Sequence, residues 1–394
     1  MTFNKAFTHT ANSGVGRTEA CTRYGMWLVT VCCLLSGALE AAEVPSWKAG
    51  VASIKITPTE NIWMSGYASR DHGAEGTRTD LKAKALALSD AEGHRSVLIT
   101  LDLVGIHREV ARSVCSVIMQ AHGLQRSQIV INTSHTHTGP VVGNNLRTMY
   151  ALSDEEGAKL DRYRVVLESN LVEVVNQAFE NLAPAKLSYA EGQATFGTNR
   201  RNNPEAQVAE LRAAGSLTGP VDYSVPVLRV ADEQGNLRVL VFGYACHATT
   251  LGDYLWSGDY PGYAQLALEE RHPGVTALFW AGCGADINPL PRRTPELATA
   301  YGDQLARAVN RALDGVLLEL PPVFVSSYRE IDLPFEQIPT QKQLEQDSKD
   351  SNRYVAGRAA ALLAGVERGV PIAPAYPYPV GVWRLGNQLN WITL

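Results

Sequence analysis

Two hydrophobic periods alternate along the chain from about Ser46 onward. Ser96–Asp102 (SVLITLD) is a short, nearly continuous apolar run, the pattern of a buried strand. Glu109–His122 instead carries Val110, Val114, Val117, Ile118 and Ala121 at helical spacing, with Gly123 as its stop. Gln128–Asn132 (QIVIN) is the next strand. A strand, a helix and a strand in that order predict a right-handed parallel crossover. Ser153 with Glu156 reads as a capping box that opens a long amphipathic helix through Leu160, Leu167, Leu171, Val174 and Ala178. Val225–Ala231 and Leu237–Ala245, joined by Asp232–Asn236, read as a hairpin, and Val275–Ala281 as another buried strand. Helices are expected at Gly262–Arg271 and Pro295–Leu313. After Pro321 come a strand, a polar loop, a helix near Asn352–Val370, a proline-rich stretch (PIAPAYPYP) and a terminal VGVWRLGNQLNWITL with strand or hairpin character. The expected fold class is α/β, a layered mixed β-sheet domain with flanking helices and catalytic loops at the C-terminal ends of its strands.

Composition narrows the function. At 394 residues with 45% hydrophobic and 19% charged, the chain can bury a substantial core, which excludes disordered scaffolding. With 35 basic against 40 acidic side chains the net charge is −5, so no nucleic-acid partner is expected. Residues 1–42 differ from the rest: Lys5, Arg17 and Arg23 precede an apolar run from Met26 to Ala38, and small residues follow to Ala42. This is the layout of a secretory signal peptide, and the run is shorter than the ~20 residues a spanning helix needs. The expectation is a secreted or periplasmic protein with no transmembrane span in its mature chain and one domain over 46–394, of which 321–394 is a partial last portion. Cys115, Cys246 and Cys283 remain after the leader, an odd number without disulfide-framework spacing. They read as small buried side chains, a Cys246–Cys283 bridge being the alternative.

Polar residues gather just after predicted strands, where open α/β sheets place their ligand sites. These are Asp102, Ser134–Pro140 (SHTHTGP), Cys246–His247 and Gly282–Pro289 (GCGADINP). His135 and His137 are spaced i, i+2, so in extended backbone both imidazoles point to one face roughly 6.5–7 Å apart. Such a pair can share a metal, or one can bind it while the other handles protons. His247 is a further candidate ligand. Asp259 and Asp286 read either as carboxylates that orient a ligating imidazole or as cap and turn residues, and Asp259, just before a helix, favours the cap. Asn199, Arg200 and Arg201 lie in a polar loop. His72, His94, His107, His122 and His272 have no partner pattern and are expected to be structural or exposed.

At these residues the sequence resembles the neutral, non-lysosomal ceramidases, in their amino-terminal catalytic domain. The matching pieces are GVASIKITPTE, MSGYASRDHG with GTRTDLKAKALAL, INTSHTHTGP, TNRRN, YACHATTL, SGDYPGYA and AGCGADINPLPR, in the family's order from about Gly50 to Pro291. The resemblance implies a Zn2+-dependent hydrolase that cleaves the amide of a lipid-like N-acyl sphingoid base. It implies His135 and His247 as zinc ligands, His137 as the acid/base that protonates the leaving amine, and Arg200 facing substrate or oxyanion. It places Asp286 and Asn288 on the substrate side. Where the family has Gly-Asp-x-Ser-Pro this chain has Ala285-Asp286-Ile287-Asn288-Pro289. An amide side chain hydrogen-bonds but is no nucleophile, so zinc-activated water is the expected route. The resemblance also implies further zinc ligands in a Pro-Gly-Glu segment and a tyrosine-containing segment beyond the strand that VGVWRLG resembles. The sequence ends at Leu394, so a carboxy-truncated form is the expectation, with self-association through an exposed apolar C-terminal edge. Two other functions remain open: a metallohydrolase on the same scaffold acting on another amide or ester, and an inactive exported protein.

Overall fold

The apolar runs become strands of one large sheet in the computed structural model, which describes residues 46–394. The signal peptide expected over residues 1–42 lies outside the described residues. In chain order the first half comprises β1 (Trp47–Lys55), β2 (Gly76–Thr77), β3 (Lys82–Ser89), β4 (Arg95–Leu101), α1 (Arg108–His122), β5 (Ile129–Thr133), α2 (Asp154–Glu180) and β6 (Ala183–Gln193). The second half comprises β7 (Gly197–Asn199), α3 (Val208–Ala213), β8 (Ser224–Ala231), β9 (Leu237–Tyr244), β10 (Leu255–Trp256), α4 (Asp259–Arg271), β11 (Thr276–Ala281), β12 (Ile287–Pro289), α5 (Pro295–Leu313) and β13 (Leu318–Leu320). The tail adds β14 (Phe324–Pro334), α6 (Gln341–Asp347), α7 (Arg353–Glu367), β15 (Ala375–Leu385) and β16 (Leu389–Thr393).

Local chemistry sets the helix ends. Ser153 accepts from the Glu156 amide while the Glu156 carboxylate accepts from the Ser153 amide, the reciprocal box that starts α2. Thr294 caps α5 with Pro295 behind it, and Gly123, at φ 64°, takes the left-handed turn that ends α1. None of the described helices is long and apolar enough to cross a membrane.

Nine strands form the main sheet, in the order β11-β9-β8-β6-β1-β3-β4-β5 with β13 beside β6. Most neighbours are antiparallel, but the pairs at the two ends, β4–β5 and β9–β11, are parallel. The expected crossover is therefore present, in a mixed sheet. One set of alternating side chains, Ala83, Ala85, Val97 and Ile99, packs under α1 and α2; Val227, Leu240, Phe242 and Phe279 pack under α4 and α5. The opposite face gathers Leu86, Leu98 and Val130 with Leu228, Val241 and Leu278, so the two halves of the sheet pack on each other. Its end strands meet. Asn132 on β5 accepts from the Ala281 amide on β11 at 3.0 Å and donates to the Ala281 carbonyl at 3.4 Å. This brings the loops that follow β5, β9 and β11 to one place. Asn132→Leu leaves both Ala281 groups without those partners, and we expect it to cost about 1–2 kcal/mol in denaturant unfolding.

The tail is a separate three-stranded sheet, β14-β15-β16. Its inner face, with Phe324, Trp383 and Leu385, closes the packed side of the main sheet, and Trp391 stands edge-on to Trp280 at 4.6 Å. The proline-rich stretch is largely strand: Ala375 to Pro379 pair with Pro334 to Glu330 of β14. Because β16 pairs only with Gly381–Leu385, the proline-bearing half of β15 has β14 alone beside it, where proline is tolerated.

Candidate metal centre and active site

The chain leaves β5 at Thr133 and turns sharply at His135, whose φ is +59°. The extended geometry expected for His135 and His137 is therefore absent, and the left-handed kink at His135 takes its place. The kink brings the imidazoles together, with ring centroids 5.0 Å apart. His247, three residues past the end of β9, completes the group at 4.8 Å from His135 and 5.8 Å from His137. One ring nitrogen from each of the three lies within 4.8 Å of the others. The loops are pinned as well as aimed: the Thr136 and Thr138 hydroxyls both donate to the Ser257 carbonyl, and the His137 amide donates to Ala248 O.

Hydrogen bonding fixes which nitrogens are free. His135 Nδ1 lies 2.8 Å from Val104 O, and His247 Nδ1 lies 2.9 Å from Gly284 O. A carbonyl oxygen can only accept, so each Nδ1 carries the proton and each Nε2 keeps its lone pair. Both nitrogens of His137 are buried without a partner. Burial, then the neighbouring imidazoles and the Arg70 and Arg200 charges, pushes His137 down to about 3. Burial likewise takes His247 down to about 4 and lowers His135. All three are neutral near pH 7, the state in which imidazole binds a metal. Unpartnered, converging imidazole nitrogens fit a borderline divalent cation such as zinc.

Two glycines make room. Gly66 has φ +102°, and a Cβ there would lie 2.4 Å from His137 Cγ. A Cβ on Gly284 would lie 2.4 Å from the Cys246 amide nitrogen. Cys246 is buried and Cys283 exposed, and both are free thiols, so the bridge alternative is not formed.

The other sequence-predicted residues divide. Arg200 follows β7, its amide donating to Asp286 O at 2.8 Å. Its charge reaches all three imidazoles, and its Nε is buried without a partner. Asp286 accepts from Asn199 Nδ2 at 3.1 Å. Asn288 pairs across from Thr198 on the β7–β12 ribbon, is buried, and leaves its Oδ1 unpartnered. That ribbon is tied to the histidines where the His247 amide donates to Ile287 O at 3.0 Å.

Asp259 is neither an orienting carboxylate nor a simple cap. It is the first residue of α4, at φ +52°, and its carboxylate accepts from the Thr250, Leu251 and Tyr260 amides, so it holds the loop after His247 against the helix. Backbone carbonyls orient the imidazoles instead. Asp102 accepts from the Lys82 amide and Gln265 and does not join the histidine group. Burial raises its pKa. The remaining histidines make the expected structural or exposed contacts: His72 with Asp71 and Glu75, His94 with Asp90, His107 with Glu109, His122 with Asn176, and His272 with Asn310.

Tyr67 and Arg70 were not singled out by sequence reasoning. Tyr67 presents its ring edge to His137 at 4.8 Å and donates its hydroxyl to Leu251 O at 2.7 Å. Arg70 is 2% exposed and donates to the His137 and Asp253 carbonyls, each at 3.0 Å. Neither side chain had a spacing signal, only membership of the MSGYASRDHG segment.

Comparison with known proteins places the chain in a family. Residues 47–300 match the family model described as neutral/alkaline non-lysosomal ceramidase, N-terminal. Neutral ceramidase A of Dictyostelium discoideum is 25% identical over 256 residues, covering 62% of this chain and 35% of its own length. Neutral ceramidase 2 of Arabidopsis thaliana is 25% identical over 287 residues, covering 70% of this chain and 36% of its own. The chain thus spans about a third of the length of these curated relatives. The neutral ceramidase from Pseudomonas aeruginosa shares the fold, with a TM-score of 0.67 at 20% identity over 89% of this chain and 62% of that one. A family match that runs from the first strand of the main sheet into α5, and contains every histidine of the cluster, means that the chain belongs to the neutral/alkaline non-lysosomal ceramidase family.

Proposed function

We propose that residues 46–394 form the catalytic domain of an exported, zinc-dependent amide hydrolase that cleaves an N-acyl sphingoid base to a fatty acid and an amine. The observation that carries this reading is the tautomer lock: two Nδ1 protons are held by backbone carbonyls, two Nε2 lone pairs are left free, and a third imidazole beside them has no partner. His135 and His247 would hold the metal. When bound, zinc supplies Lewis acidity and lowers the pKa of water toward about 7.

The chain's own residues account for the rest. His137, free at both nitrogens, takes a proton from the attacking water and returns it to the departing nitrogen, so water adds across the acyl C–N bond as that bond breaks. Arg200 places a half-buried cation where the amide oxygen gains charge. Asn288, buried with a free oxygen, offers hydrogen bonds to substrate but cannot form an acyl-enzyme. Asp286, held by Asn199, immediately precedes the ribbon strand that carries Asn288. Export rests on the leader at residues 1–42.

Asn288 also favours a second reading, a metallohydrolase of the same scaffold acting on another amide or ester. Both are tested by a substrate panel run with and without added zinc: N-acyl sphingoid bases, N-acyl amino acids, and esters of equal chain length. Zinc-dependent release of fatty acid from the first class, at least ~10-fold above the others in kcat/KM, supports the ceramidase reading. Preference for either other class sinks it.

A further inference from the structure

We infer that Arg70 is a positioning residue for the histidine cluster: its guanidinium fixes the loop bearing His135 and His137 against the loop that follows His247. The inference deepens the function proposed above and rests on it for one of its readouts. Arg70 lies on a third segment, between β1 and β2, and reaches both others, Nη2 to His137 O and Nη1 to Asp253 O, each at 3.0 Å. One rigid, planar fork with diverging donors makes both bonds, which a lysine head on a single point cannot do.

The surroundings are unusual for a merely structural arginine. The side chain is 2% exposed, and its Nε is buried with no acceptor. Among the described residues no carboxylate forms an ion pair with it, and the carboxylate of Asp253 pairs with Arg78 instead. Two aromatic faces take the place of a counter-ion: the guanidinium carbon lies 5.4 Å from the Tyr67 ring centroid and 4.7 Å from that of Tyr254. An unpaired buried cation is a costly way to fill space, and an apolar side chain would fill it without that cost. What the guanidinium adds is direction. It holds the carbonyl of His137 itself, and it sits against Tyr67, whose ring edge meets the His137 imidazole at 4.8 Å. Backbone bonds already join the loops at Ala248 and Ser257, so the contribution of Arg70 is the orientation of His137 within a joined pair.

The test uses the full chain and the variants Arg70→Ala and Arg70→Lys. Zinc affinity is measured by chelator competition, kcat and KM on the N-acyl sphingoid substrate, and imidazole environments by long-range 1H–15N correlation of the metal-free protein. In Arg70→Ala, zinc binding is expected to stay within about threefold of wild type, because His135 and His247 keep their own carbonyl partners. The value of kcat is expected to fall by about 10–100-fold with KM within about threefold, and the His137 nitrogens to shift and broaden. Millimolar guanidinium should restore part of the lost kcat, while methylammonium should not. Arg70→Lys keeps the charge and is expected to behave like the alanine variant; it decides the matter if the alanine variant does not fold. Wild-type kcat and His137 resonances in either folded variant overturn the inference, and so does a loss of zinc affinity as large as the fall in kcat. If wild-type protein cleaves no N-acyl sphingoid base, the proposed function fails, and the imidazole spectra still decide the role of Arg70.

Discussion

Replacing His247 by alanine is expected to abolish zinc binding and to lower hydrolysis by more than about 10³-fold, beyond the ~10–100-fold typical when only an outer partner of a ligand is lost. The expectation follows from how this imidazole is presented. Its Nδ1 proton is held by Gly284 O, in a segment where glycine lets the chain approach the Cys246 amide, so His247 Nε2 is aimed before any metal arrives. A preset donor contributes affinity without an ordering cost, and the alanine variant has nothing at that place to replace it. His137→Ala is the informative contrast. His137 has no bond that fixes a tautomer, as suits a group that gains and loses a proton. This variant should therefore keep about one zinc per chain by elemental mass spectrometry while losing kcat by ~10²–10⁴-fold. Zinc lost equally from both variants would instead make His137 a ligand and leave the proton step without its carrier.

Much of the fold was legible because strand and helix signals were local. The SVLITLD and QIVIN runs, the box at Ser153 and Glu156 and the Gly123 stop each act within a few residues, and the observed elements follow them closely. The meeting of β5 with β11 was not legible, because it depends on how the whole sheet bends and on one amide, that of Asn132. The histidines were recognisable by type and spacing, yet the stated reason was wrong: period-two geometry does not apply where His135 adopts a left-handed conformation. Arg70 was invisible for a related reason. A single arginine in a loop carries no pattern, and its importance comes from two carbonyls that are 67 and 183 positions away in sequence. Asp259 shows a milder case, a residue with a local signal for a helix cap whose carboxylate instead holds the loop eight and nine residues before it.

Gly66→Ala is expected to be the most damaging single-methyl change in the segment between β1 and β2. Two costs coincide. At φ +102° an L side chain is strained by about 1–2 kcal/mol, whatever space surrounds it. The new methyl would also lie 2.4 Å from His137 Cγ and 2.6 Å from Nδ1, well inside contact distance. The imidazole cannot simply step back, because its backbone is held by Arg70 at the carbonyl and by Ala248 at the amide, and Tyr67 lies against the ring. Either the Gly66 loop or the His137 ring must move, and a displacement of about 1 Å at a reacting group costs on the order of 10²-fold in rate. We expect a stability loss of about 3 kcal/mol in denaturant unfolding together with that fall in kcat. The two costs separate in a double-mutant cycle with His137→Ala. Removing the ring relieves the contacts with Cγ and Nδ1 but leaves the Cβ contact at 2.8 Å and the backbone strain, so the cycle should show a coupling of about 1 kcal/mol, with activity absent from the double variant. Additive stability losses would mean that the loop yields without touching His137, and the role of Gly66 would then be confined to its own backbone conformation.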